Sequence, residues 1–85
     1  MYQTEIRKLA EGLTARGISF ELRPLWGGWQ IDTGDWDAIC HDYSYGHEND
    51  LLEIMGVIVS EDAGDSVEGY LTAAEVLERI DSLAR

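Results

Sequence analysis

Residues 26–50 read WGGWQIDTGDWDAICHDYSYGHEND, and their alternation decides the fold. Trp29, Ile31 and Thr33 alternate with Gln30 and Asp32. Trp36, Ala38 and Cys40 alternate with Asp37, Ile39 and His41. A period of two marks strands with one buried face. Gly27-Gly28 and Thr33-Gly34-Asp35 supply turn residues before and between the two runs. The stretch holds all three tryptophans, the only cysteine and both histidines, with no Lys or Arg. It reads as the centre of a small antiparallel sheet whose polar groups are overwhelmingly acidic.

Upstream, ISFELRPL (18–25) also alternates: Ile18, Phe20 and Leu22 share one face, Ser19, Glu21 and Arg23 the other. Pro24 has no N–H for a ladder and marks a strand end or a sheet edge. Before it, residues 3–16 carry Ile6, Leu9, Ala10 and Leu13 at helical spacing, with Thr4 as an N-cap and Gly17 as a left-handed C-cap. Downstream, Tyr43 to Gly46 reads as loop. Residues 49–59 admit two readings. Leu51, Leu52, Met55, Ile58 and Val59 fit a helix, and a short helix over 49–55 ending near Gly56 is preferred. The β-branched run Val57–Val59 favours a fourth strand across 51–59. SEDAGDSVE (60–68) reads as an acidic loop. Thr72-Ala-Ala-Glu75 is a capping box, in which hydroxyl and carboxylate each satisfy the other residue's amide. A helix follows to about Ala84, burying Ala73, Val76, Leu77, Ile80 and Leu83. Arg79 and Arg85 sit toward its C-terminus, where the helix dipole favours cations. The expected fold is α+β in one domain, residues 1–85. An N-terminal helix, a three- or four-stranded antiparallel meander and a C-terminal helix follow in order, with the helices on one face.

The formal net charge is −11, and its placement matters more than its size. Residues 25–78 carry thirteen acids and no Lys or Arg, while all six bases lie in the flanking segments. Such a surface repels nucleic acid and anionic membranes and attracts basic proteins. Acidity also keeps small proteins in solution with no partner involved. No apolar run is long enough to span a bilayer. One cysteine cannot form an internal disulfide, and no signal peptide is visible, so a cytoplasmic setting is expected.

Cys40, His41, Asp42, His47, Glu48 and Asp50 are all metal-ligand types, but no zinc spacing occurs among them. Cys40 and His41 face apart on a regular strand, so a thiol–imidazole pair is not formed there either. The 60–68 loop lacks the ligand and glycine spacing of a calcium loop. No phosphate-binding glycine loop is present. A double-stranded-RNA-binding domain shares the helix–strands–helix order but needs a basic face. The residues therefore read as a non-enzymatic, acidic protein-binding domain without cofactor, metal or catalytic residues. Its partner-binding residues are Trp26, Asp32, Asp35, Asp37, Asp42, Glu48 and Asp50. Trp26, beside the Gly27-Gly28 turn, is expected to be partly exposed and available to a partner. Carboxylates held in a fixed array can imitate nucleic-acid phosphates and fill the groove of a basic protein. The alternatives are a small metal-binding or enzymatic domain using His41 and His47, and a structural homodimer with no ligand.

SYGHENDLLEIMG (44–56) and VEGYLTAAEVLERI (67–80) resemble segments of small acidic proteins of bacterial mobile elements and phages. The size, acidity and element order are similar to those of phage anti-CRISPR proteins. That likeness implies an inhibitor that occupies the basic groove of a nucleic-acid-processing protein. It carries over no individual functional residue.

Overall fold

The computed structural model describes residues 4–59 and 66–83. Its elements are α1 (Thr4–Ala15), β1 (Glu21–Leu25), β2 (Gly28–Asp32), β3 (Trp36–Cys40), β4 (Leu52–Gly56), β5 (Val67–Leu71) and α2 (Ala73–Leu83). A single 3₁₀ turn, His47–Asn49, lies between β3 and β4. All neighbouring strands pair antiparallel in the order β1-β2-β3-β4-β5. The fold is α+β, as the alternation and helical spacing imply, but the meander has five strands rather than three or four.

The two added strands correct the reading of residues 49–68. The preferred helix over 49–55 does not form; a fourth strand does, but over Leu52–Gly56 rather than 51–59, and the β-branched run Val57–Val59 lies outside it. Asp50 adopts a left-handed φ of 58°, which ends the 3₁₀ turn. β4 then pairs Asp37 with Met55 and Ile39 with Glu53, filling the edge that β3 would otherwise expose. Edge pairing is a tertiary gain that helical spacing cannot anticipate. Residues 67–68, read as the end of the acidic loop, open β5. Residues 60–65 of that loop lie outside the described residues.

One sheet face is covered by both helices. Ile6, Leu9 and Leu13 of α1 and Ala73 and Val76 of α2 pack on Ile31, Ala38, Cys40, Leu52, Ile54 and Leu71. Burial of each large aliphatic side chain is worth about 1.5–3 kcal/mol. The helices run parallel. At their N-termini the Ala73 N–H donates to Glu5 Oε1 at 2.8 Å, and at the far end Arg16 clasps Asp81 at 2.8 and 2.9 Å. Between these ties, Gly12 lets the helices close up: a Cβ there would lie 2.4 Å from Leu77 Cδ1. Gly17 takes the left-handed C-cap with φ 70°. The capping box forms as read, with Thr72 N–H on Glu75 Oε1 at 2.9 Å and Glu75 N–H on Thr72 Oγ1 at 3.2 Å.

Three packing expectations change. Thr4 is the first helical residue, and its N–H donates to Asp50 Oδ2 at 3.1 Å, so a distant carboxylate caps α1. Leu22 is 48% exposed, because β1 is an edge strand and α1 lies over its neighbours. Leu83 is exposed as well. α1 ends at Ala15, and its neighbour Arg16 meets Asp81, so the last turn of α2 projects beyond its partner helix.

Candidate partner-binding site

Three segments meet at the end of the sheet where both helices begin: the β1–β2 turn, the loop leaving β3, and the junction of β5 with α2. Each brings an aromatic ring. Trp26 and Gly27 form a two-residue turn with φ of 43° and 80°. Positive φ at both positions suits the twist of a tight hairpin, and the site favours Asn or Gly. A tryptophan there is a strained choice. Its indole is 63% exposed and rests edge-on against His41, with centroids 5.1 Å apart, and against Tyr43 at 5.7 Å.

The support beneath the indole is buried and hydrogen-bonded. His41 is only 3% exposed. Its Nδ1 accepts the Tyr43 N–H at 3.0 Å, and its own N–H donates to Ser44 Oγ at 2.9 Å. The buried Ser44 hydroxyl donates back to the His41 carbonyl at 3.0 Å. Asp42 N–H donates to the Trp26 carbonyl at 3.1 Å, locking the turn to the end of β3. The Asp42 carboxylate lies against Gly27, where a Cβ would come within 2.5 Å of it.

The loop continues to Tyr45, whose N–H donates to the buried Glu53 carboxylate at 2.8 Å and whose carbonyl accepts from Tyr70 N–H at 3.4 Å. Tyr70 also takes a left-handed backbone, φ 62°, beside the bulge in β5. The negative charge of Glu48, with a hydrogen bond to the phenol, pushes the Tyr70 hydroxyl above its ordinary value. Tyr43, Tyr45 and Tyr70 are all more than half exposed. Among the described residues, the three non-glycine residues with positive φ are Trp26, Asp50 and Tyr70, and all stand at this end. Backbone strain concentrated in one place commonly accompanies a functional surface.

The expected partner-binding residues divide. Trp26, Asp42 and Glu48 belong to this rim. Asp50 is close by but faces inward: one oxygen caps α1, and the other accepts the Cys40 thiol at 3.6 Å. Asp32, Asp35 and Asp37 lie away from the rim, on the uncovered sheet face and the β2–β3 turn. Asp32 receives Arg23 at 2.7 Å and Gly34 N–H at 2.9 Å, and Asp37 receives Gln30 at 2.8 Å. Asp35 is exposed at the turn. The tyrosines were missed in the sequence. Tyr43 and Tyr45 lie in a stretch that reads as loop, and Tyr70 reaches them only through the fifth strand.

Burial, followed by the neighbouring Asp50 charge, pushes the Cys40 thiol up to about 12, which keeps it protonated and a poor nucleophile. His47 Nδ1 lies 2.6 Å from the Ser44 carbonyl and 3.4 Å from Glu48. Among the described residues no group of three or more His, Cys, Asp or Glu side chains converges to hold a metal. Among them, too, no helix is long and apolar enough to cross a membrane. No family model, curated protein or solved structure matches the chain.

Proposed function

We propose that this chain is a non-enzymatic protein-binding domain that holds a basic segment of another protein against the rim formed by Trp26, Tyr43, Tyr45 and Tyr70. The observation that carries the reading is Trp26 itself, a large apolar ring kept in a left-handed turn and propped toward solvent by buried His41. Exposed Trp and Tyr on a rigid base are the residues that dominate binding energy at interfaces. Asp42 and Glu48 border the rings, so a guanidinium or ammonium can lie on an aromatic face and pair with a carboxylate. The net charge of −11 adds long-range attraction for a basic partner.

An inhibitor that fills the basic groove of a nucleic-acid-processing protein is one form of this proposal. Its support is narrower, because Asp32, Asp37 and Asp50 already hold internal partners. The rim and the open sheet face are separated by capture of basic proteins from a bacterial lysate. The wild-type chain retains a partner at low salt and releases it at high salt. Trp26→Ala and the double variant Asp42→Lys/Glu48→Lys lose it, while Asp32→Lys/Asp35→Lys/Asp37→Lys keeps it. Retention by both rim variants removes the rim from the interface.

A further inference from the structure

The two edges of the sheet are built differently. β5 carries an irregular register against β4 between Leu52 and Ile54, with Tyr70 left-handed beside it, and such a bulge turns an edge away from new strands. β1 is in regular register with β2, and four of its five residues are exposed. Leu25 and Gly28 close the two-residue turn, so Leu25, Arg23 and Glu21 direct their backbone groups to β2. Leu22 and Pro24 direct theirs outward, where the sheet ends. On the helix side of the same strand a groove of about 250 Å³ opens, lined by Ile6, Arg7, Ala10, Glu11, Leu22 and Trp29.

We infer that this edge pairs with the same edge of a second copy, antiparallel about a two-fold axis at Leu22. β1 is complementary to itself in that register. Leu22 faces Leu22 of the other copy, so Glu21 of each faces Arg23 of the other on the uncovered sheet face, and directly opposed charges of opposite sign stabilise a strand pair. Centring the axis on Glu21 or Arg23 would face like charges instead. Centring it on Pro24 would oppose two residues without donors. In the favoured register the two Leu22 residues exchange a pair of N–H···O=C bonds. Pro24 donates nothing, but its carbonyl accepts the Phe20 N–H of the other copy, so the proline costs one bond per copy at the end of the ladder. The two Leu22 side chains meet on the helix side and close the groove that each copy leaves open. The contact is isologous, uses up both β1 edges, and leaves the bulged β5 edges outermost, so assembly stops at two copies.

This pairing is independent of the aromatic rim, which stands at the strand ends. Sedimentation of the purified chain from micromolar to near-millimolar concentration tests it. The mass rises toward twice the monomer. Leu22→Lys, at a half-exposed position, sets two ammonium groups across the axis and holds the chain monomeric. Glu21→Arg weakens association by about tenfold, since each copy then opposes two cations. Adding Arg23→Glu restores it, and the guanidinium introduced by Glu21→Arg still gives Asp32, the cross-strand neighbour of that position, a cation. Far-ultraviolet circular dichroism shows that each variant keeps the fold. A monomer at every concentration overturns the inference. So does a dimer that survives Leu22→Lys, or a double variant as weak as Glu21→Arg alone.

Discussion

Trp26 and Cys40 show how one side chain can be settled by a neighbour distant in sequence. Trp26 is exposed because the tight turn gives it no covered direction, and ordered because His41 and Tyr43 lie beneath it. Cys40 is the reverse case: fully buried, with its thiol donating to Asp50. Its pKa is raised from 9.0 to about 12 by burial first and then by the Asp50 charge. The folded chain therefore keeps a proton that the unfolded chain releases above pH 9. The folded state is fully favoured below that pH and loses stability as pH rises toward 12. Urea unfolding followed upward through pH 9 will show the wild-type midpoint falling more steeply than that of Cys40→Ala. The raised phenol of Tyr70 is present in both chains and cancels in the comparison. Parallel profiles would mean that the thiol is not held protonated.

At the scale of elements, acids act as caps as well as surface charge. Asp50 closes the N-terminus of α1, Glu5 takes the first N–H of α2, and Glu75 completes the box with Thr72. The two parallel helices bring their positive ends together at the rim, and these carboxylates meet them there. Asp50→Ala removes the α1 cap and the acceptor for Cys40, and is expected to cost about 1–2 kcal/mol in denaturant unfolding. Asp35→Ala, on the exposed turn, is the control and should change stability by no more than about 0.5 kcal/mol. The capping box was legible because its two residues are three apart. The Asp50 cap was not, because Thr4 and Asp50 are joined only by folding. The preference for helix over strand at 49–55 has a related reason. Leu51 and Leu52 make the segment look helical, and Glu53 breaks the apolar run although it is buried, its carboxylate accepting the Tyr45 N–H.

For the whole molecule, the net charge of −11 works against compactness even where single acids are satisfied. Exposed pairs such as Arg23–Asp32 contribute little and are screened by salt. Relief of general repulsion should outweigh their loss, so the thermal midpoint is expected to rise on going from low to physiological ionic strength. A gain of ~1 kcal/mol corresponds to about 4–8 °C in a domain of this size. A midpoint that falls with salt would show that specific ion pairs dominate instead. The sequence by itself determined the α+β class, the terminal helices, the central hairpin strands and their buried faces, and the excess of acid. All of these follow from periodicity, turn chemistry and composition, which act over a few residues. Only the tertiary structure decided the strand identity of 52–56 and 67–71, the inward use of Asp50, the open edge at Leu22 and the gathering of Trp26 with three tyrosines. Each of these depends on which distant segment lies alongside, and that choice is made by pairing an exposed edge and covering an apolar face, not by local preference.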